Sequence, residues 1–370
     1  MKIFFDHQTF SQQNYGGISR YFCELIAGIN QSPTPHQAHL SLLFSNNAYL
    51  KEKGLHALPF FPGQPFARTQ PYFYRLNKAF NRLEMQTRSY DVFHATYYEP
   101  SFLSHIRKRP VVVTFLDMIH EKYHTVYPEL AADSRVMAWK KEIVHQATAV
   151  IAISENTKRD LIEYYDLSPD RIRVIYLGSS VFVDDTQAEL PSEATAPYLL
   201  FVGNRGMYKN FLPFIRAVAP LLLAYQVRVI CAGGGAFSPE ETAILKQLNL
   251  TNLVDQQPID DDTLRHLYRQ ALAFVFPSLY EGFGIPVLEA FACNCPCILS
   301  NRSSLPEVAG AAALYFDPDQ PDSLRAAVEQ LITSPARRQQ LAELGQAQLR
   351  HFSWEKTVRE TLDLYESLLH

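Results

Sequence analysis

Short apolar runs recur along this chain, and between them apolar residues return every three or four positions. In the first half the runs fall at residues 2–6, 39–44, 91–95, 110–115, 148–153 and 172–176. A second series occupies 198–203, 227–232, 253–255, 273–277, 296–299 and 313–316. Runs that are apolar on both faces suit strands buried between two layers, so the pattern predicts parallel sheets covered by helices on each side. Ile18, Tyr21, Phe22, Leu25, Ile26 and Ile29 follow the spacing of an amphipathic helix that begins at Gly16-Gly17. Trp354, Val358, Leu362, Tyr365 and Leu369 form a similar stripe over 354–369. Between about 180 and 197 the pattern breaks into Asp-Asp-Thr-Gln and a polar, proline-flanked segment, which reads as a linker. The repeated strand–helix order on either side predicts an α/β protein built twice over.

Length and charge narrow this picture. A chain of 370 residues suits two ordinary cores better than one. Lys plus Arg number 34 against 38 Asp plus Glu, a net charge of −4 that disfavours a nucleic-acid partner. No run of 18 apolar residues occurs, and Met1 leads straight into the strand-like Lys2-Ile3-Phe4-Phe5, so a cytoplasmic location is expected. Five cysteines in such a chain are expected to be reduced thiols. Cys293, Cys295 and Cys297 lack the paired second cluster of a zinc site and read as small packing residues.

The candidate chemistry concentrates where strand-like runs end. Ala273-Phe274-Val275-Phe276 is followed by Pro277-Ser278-Leu279-Tyr280-Glu281-Gly282-Phe283-Gly284-Ile285-Pro286-Val287-Leu288-Glu289. Gly282 and Gly284 permit close backbone approach, and Pro286 suits the start of a helix. A helix start after a strand and a glycine turn offers N–H groups and a partial positive charge to an anion such as a diphosphate, while Glu289, one turn in, suits a sugar diol. Phe201-Val202-Gly203-Asn204-Arg205-Gly206-Met207-Tyr208-Lys209-Asn210 ends the first run of the second series, with Arg205 and Lys209 bracketing a short loop. Both cations are placed to reach one diphosphate, whose charge grows as a glycosidic bond breaks. Gly233 and Gly234 follow another run and read equally as a nucleotide contact or as a tight turn.

On the segments 198–210 and 273–310 the chain resembles the retaining GT-B glycosyltransferases of family 4, whose Glu-x7-Glu segment corresponds to Glu281 and Glu289. The resemblance implies two Rossmann-like doubly wound domains facing a central cleft, with the last helix crossing back to the first domain. The expected domains are then residues 1–185 with 354–370, on the acceptor side, and 186–353, on the nucleotide-sugar side. It also implies that Glu289 holds ribose hydroxyls and that Glu281 and the Phe283-Gly284-Ile285 backbone face the donor sugar and phosphate. Arg205 and Lys209 would neutralise the diphosphate, with no metal and no other cofactor. The family's front-face route would let a leaving phosphate oxygen take up the acceptor proton, unlike hydrolases that need two positioned carboxylates.

Gly16 and Gly17, within a GGxxR sequence that lines the cleft in the family, and Gly203 and Pro258 join the donor-binding set by the same resemblance. The family's arginine commonly follows the glycine directly, whereas Asn204 intervenes here. Many relatives carry His-Asp where this chain has Leu116-Asp117, which leaves Asp117 and His120 as candidates for the missing donor-sugar contact. His94 ends a strand-like run and reads either as cleft lining or as a structural histidine. Glu307 suits a helix start as well as a ligand.

The expected reaction moves a hexose, mannose from GDP-mannose by preference, onto a hydroxyl of a glycan or lipid-linked acceptor in surface-polysaccharide assembly. A UDP-sugar donor, a nucleotide-sugar epimerase of the same fold and a non-catalytic nucleotide-sugar-binding subunit are the alternatives. Residues 66–88 interleave Phe66, Tyr72, Phe73, Tyr74 and Phe80 with Arg68, Arg75, Lys78, Arg82 and Arg88. That segment suits peripheral contact with an anionic membrane or a lipid-linked acceptor, or ordinary packing with extended arginines.

Overall fold

The computed structural model describes residues 1–60, 66–106, 108–131, 134–179 and 197–370. The chain forms two compact units, Met1–Gly178 with Ser353–His370, and Ser179–Phe352. The expected border at 185/186 lies outside the described residues.

The first unit is built on a parallel sheet of β1 (Lys2–Phe5), β2 (Gln37–Leu40), β3 (Val92–Ala95), β4 (Val111–Phe115), β5 (Ala149–Ala152) and β6 (Ile172–Val174), in the order β2-β1-β3-β4-β5-β6. β3, β4 and β5 are buried throughout, as their apolar runs require. β2 differs from the expected 39–44 and begins earlier. It is an edge strand, so Gln37 and His39 tolerate partial exposure, and His39 Nε2 pairs with Glu84 at 2.8 Å. Beyond β2, Asn77 stands in for a sheet partner: Leu43 and Phe44 N–H donate to its Oδ1, and its Nδ2 donates to the Phe44 carbonyl.

The Trp354–Ser367 helix belongs to this first unit and packs on the Gly17–Gln31 helix. Two glycines permit the approach. A Cβ on Gly28 would lie 2.6 Å from Val358 Cγ2, and one on Gly178 would lie 2.3 Å from the Trp354 nitrogen. Tyr365 of that helix meets His94 Nδ1, while His94 Nε2 meets Thr114 Oγ1 at 2.9 Å. His94 is therefore a buried link between β3, β4 and the last helix, and not a cleft residue. Burial without a counter-charge lowers its pKa to about 3, so the ring stays neutral.

The second unit repeats the plan with β7 (Tyr198–Val202), β8 (Arg228–Ala232), β9 (Val254–Gln257), β10 (Ala273–Phe276), β11 (Cys297–Ser300) and β12 (Ala313–Phe316). Their order is β12-β11-β10-β7-β8-β9, all parallel. Leu199, Phe201, Val229, Val275 and Ile298 point into a core completed by Phe214 and Val218 of the Phe211–Tyr225 helix. Cys293, Cys295 and Cys297 are all buried in this unit, and burial pushes the Cys293 thiol up to about 12. Among the described residues no group of three or more His, Cys, Asp or Glu is placed to hold a metal ion, and no helix is long and apolar enough to cross a membrane.

Candidate functional site at the carboxyl ends of β7, β8 and β10

In the second unit the strand order reverses at β7: the chain first proceeds outward through β8 and β9, then returns to β7's other side at β10. At such a switch point the loops leaving neighbouring strands part and open a crevice at the carboxyl ends. The residues leaving β7, β8 and β10 are those with candidate chemistry.

After β7, Gly203 adopts φ +103°, which an L side chain resists, and its N–H donates to the Ala232 carbonyl. A Cβ there would meet nothing within 4 Å. After β8, Gly233, Gly234 and Gly235 lie in succession at φ +80°, +72° and +72°. A Cβ on Gly234 would sit 2.6 Å from the Gly203 carbonyl oxygen and 2.9 Å from an Arg205 nitrogen. The two glycine loops are thus stacked backbone on backbone, and Gly234 is required by that contact.

Arg205 departs from the expectation that it faces the diphosphate. Its side chain is 3% exposed, and it donates through Nε to Glu241 Oε1 at 2.9 Å. The remaining N–H groups reach the carbonyls of Gly233 (3.3 Å), Gly235 (3.0 Å) and Ala236 (2.9 Å). The guanidinium also lies 4.7 Å from the Phe237 ring centre. Its planar fork matches several acceptors at once, so it serves as a clamp on the glycine loop. Glu241 was not singled out from the sequence. Its signal was the Ser238-x-x-Glu241 capping box at the start of the Pro239–Gln247 helix, which also gives it the Ser238 N–H at 2.7 Å.

Lys209 ends a short 3-10 turn, Met207–Lys209. Its ammonium lies 2.6 Å from Glu281 Oε1 and 5.1 Å from the Phe276 ring centre. The Leu279 N–H donates to the Tyr208 carbonyl and ties the two loops together. Two of the expected residues, from segments 72 positions apart, therefore form one ion pair. The side chains are 18% and 12% exposed.

The loop from Glu281 to Gly284 is held by serines that sequence reasoning missed. Ser303 Oγ accepts from the Glu281 N–H, and Ser304 Oγ lies 2.9 Å from both the Glu281 and Phe283 carbonyls. Nothing in the local pattern marked them, because they act from after β11. The Phe283 ring is buried edge-on to Phe352, so Phe283 anchors the loop by its side chain. Gly284 turns the chain at φ +106° into the Ile285–Ala292 helix, whose N-cap supplies no side-chain oxygen. Ile285 is half-buried at the first helical position. Pro286 has no N–H and the Val287 N–H donates to the Gly284 carbonyl at 2.9 Å, so the first turn offers an anion chiefly the positive end of its dipole. One turn further, the Glu289 carboxylate accepts from Tyr268 Oη at 3.2 Å, and the same hydroxyl lies 3.2 Å from the Pro286 carbonyl. Pro258 follows β9 and is exposed, and Ile259 packs 3.5 Å from a Cβ built on Gly233. Glu307 sits in the first turn of the Leu305–Ala309 helix.

The remaining candidates lie in the first unit. Gly17 is exposed and opens the Gly17–Gln31 helix, and Gly16 receives Ser19 Oγ and the Arg20 N–H on its carbonyl. Asp117 accepts from the Ile119 N–H through Oδ1, and its carbonyl accepts from the buried Lys140 ammonium, which pairs with Glu121 at 3.1 Å. Asp117 Oδ1 also lies 3.6 Å from the Lys140 ammonium, so its carboxylate is tied to its own turn and to that buried cation. His120 lies one residue further into that turn, and its Nδ1 is buried without a hydrogen-bond partner among the described residues. No hydrogen bond among the described residues joins His120 to Asp117.

Two parallel six-stranded α/β units, with the last helix returned to the first, define the GT-B class of glycosyltransferases. Solved structures share that fold: a sucrose-phosphate synthase from Thermosynechococcus elongatus has a TM-score of 0.77 at 20% identity, covering 100% of this chain and 99% of that one. Anabaena HepE, in complex with UDP and glucose, has a TM-score of 0.75 at 18% identity, covering 99% of each chain. Residues 182–348 match the family described as Glycosyl transferases group 1, and residues 15–181 match Glycosyltransferase Family 4. The chain belongs to this glycosyltransferase family. It is 29% identical over 326 residues to the O-antigen chain mannosyltransferase B of Escherichia coli, covering 82% of each. It is also 31% identical over 248 residues to the serotype-specific mannosyltransferase WbdA of Escherichia coli, spanning 60% of this chain and 29% of that protein.

Proposed function

We propose that this glycosyltransferase moves mannose from GDP-mannose, with retention and without a metal, onto a hydroxyl of a glycan or lipid-linked acceptor in surface-polysaccharide assembly. The observation that carries the reading is the convergence of the Lys209–Glu281 pair with the uncapped start of the Ile285–Ala292 helix. A nucleoside diphosphate leaving group gains charge as its bond to the sugar breaks. A fixed ammonium and a helix dipole at that point stabilise the transition state more than the ground state. Glu289 then takes the ribose diol, with Tyr268 fixing its carboxylate. The preference for mannose is supported by the likeness to an O-antigen mannosyltransferase over 82% of each chain.

Calorimetric titration of GDP, UDP, ADP and dTDP, followed by turnover of the matching donor, tests the reading. GDP should bind best, product should form in excess EDTA, and NMR of the new linkage should show the donor's anomeric configuration. Preferential UDP binding would move the chain to a UDP-sugar donor. Donor isomerised without acceptor would make it an epimerase, and binding without turnover would make it a nucleotide-sugar-binding subunit. If none of the four nucleotides binds below millimolar concentration, the transferase reading fails.

A further inference from the structure

A cavity of about 330 Å³ lies in the first unit between the Phe66–Thr87 helix and the segment after β3. Arg75, Lys78, Arg82 and His105 line it together with Ser101 and Asp6. Three fixed cations, Arg75, Lys78 and Arg82, at one cavity of a chain with net charge −4 are a local concentration of positive charge. The acid among them is already engaged: Asp6 accepts from the N–H and hydroxyl of Thr96 and from the N–H and side-chain amide of Gln8. Lys78 pairs with Glu99, whereas Arg75 and Arg82 have no carboxylate within ion-pair distance among the described residues.

The same helix shows what accompanies that charge. Taking about 100° per residue, Arg75 and Arg82 fall on the rim of the cavity-facing side. Tyr72, Leu76 and Leu83 cluster on the next sector, about 60–100° around from Arg75. These three are 66%, 49% and 56% exposed. Cationic groups at the edge of an exposed apolar strip match a ligand with an anionic head and a hydrocarbon tail.

We infer that this cavity binds the phosphate group of an amphiphilic ligand through Arg75 and Arg82, with the ligand's hydrocarbon lying along Tyr72, Leu76 and Leu83. The phosphate oxygens replace water around two guanidinium groups, which bind such groups in a bidentate fashion. The hydrocarbon covers side chains that otherwise face solvent. This deepens the proposed reaction by giving the first unit a place to hold a lipid-borne substrate, but its test needs no nucleotide sugar and stands or falls separately.

Calorimetry with monomeric farnesyl phosphate, farnesol and inorganic phosphate separates the two halves of the ligand. Farnesyl phosphate should bind at least tenfold more tightly than either of the others. The double variant Arg75→Gln/Arg82→Gln should lose at least tenfold, and Leu76→Ser/Leu83→Ser several-fold. All four residues are exposed, so the variants should retain the parent's circular dichroism and unfolding midpoint. Farnesol binding as well as farnesyl phosphate, or the arginine variant keeping parental affinity, would overturn the inference. So would inorganic phosphate matching farnesyl phosphate. Sedimentation with phosphatidylglycerol vesicles, if strong while monomeric farnesyl phosphate fails to bind, would replace the cavity with general attraction to a bilayer.

Discussion

Replacing Arg205 by leucine tests whether its guanidinium serves the glycine loop or a ligand. The substitution removes five hydrogen bonds and leaves Glu241, 8% exposed, and the carbonyls of Gly233, Gly235 and Ala236 without their donor. Breaking one side of a buried ion pair costs about 3–5 kcal/mol. The Ser238 N–H still satisfies one Glu241 oxygen, which favours the lower end, about 3 kcal/mol. With a urea m-value of about 2 kcal/mol/M, the midpoint should fall by about 1.5 M. Both tryptophans, Trp139 and Trp354, lie in the first unit, so tryptophan fluorescence does not report on the second. Far-UV circular dichroism gives the midpoint, and hydrogen exchange of peptides from 228–245 reads the loop itself. Glu241→Leu should behave alike, and the double variant should recover much of the loss, because no charge is then buried alone. A parental midpoint and parental exchange in Arg205→Leu, with nucleoside diphosphate affinity down tenfold or more, would refute the clamp and restore the diphosphate contact.

Lys209→Met should leave the second unit folded, at a cost of about 1–3 kcal/mol because Glu281 loses its partner in a mostly buried position, and lower kcat/KM by about 100-fold, measured in a coupled nucleoside-diphosphate assay. Gly234→Ala should destabilise the second unit by at least about 2 kcal/mol, whereas Gly235→Ala, where a Cβ meets open space, should show only the left-handed strain of about 1 kcal/mol; urea midpoints compare them. Tyr268→Phe should weaken nucleotide binding about fivefold by removing one hydrogen bond that orients the Glu289 carboxylate, as calorimetry would show. The first unit should lose stability as pH falls. His7 and His94 both titrate near 3 when folded and near 6.5 when unfolded, so unfolding takes up two protons in that window. Asp6 opposes them: burial raises its folded pKa from 3.8 to about 6, so it gives up one proton on unfolding. Between about pH 4 and 6 the net uptake is one proton, a loss of about 1.4 kcal/mol per pH unit, and a urea midpoint by tryptophan fluorescence that stays flat there would contradict it.

Strand positions were legible because burial on both faces demands continuous apolar runs, and Tyr198–Val202 or Ala273–Phe276 have no other use. β2 was misplaced because an edge strand needs no apolar outer face, and because Asn77, 33 residues from Phe44, satisfies the backbone where the sheet ends. At the site, Lys209, Glu281 and Glu289 were readable as charges at strand ends. Arg205 was read from the same cue, yet a charge next to a strand end can as well face inward when carbonyls and a carboxylate await it. Its partners lie 28 to 36 residues away, so no local pattern disclosed them. Ser303 and Ser304 were invisible for the same reason, since a hydroxyl carries no signal until the fold brings a carbonyl to it.

The return of the Trp354–Ser367 helix to the first unit has a consequence for synthesis. The ribosome delivers β1 to β6 first, but the tyrosine that meets the buried His94 is residue 365, beyond the whole second unit. Until the Trp354–Ser367 helix emerges from the exit tunnel, the earlier-made sheet holds an imidazole without that partner and an uncovered face on the Gly17–Gln31 helix. The later-made unit, contiguous from 179 to 352, has all its strands by then. The usual order of domain maturation is thereby inverted, and the amino-terminal half is the one exposed to chaperones and proteases longest. A nascent chain stalled with residue 352 just clear of the exit tunnel should be cut in the first unit while the second resists.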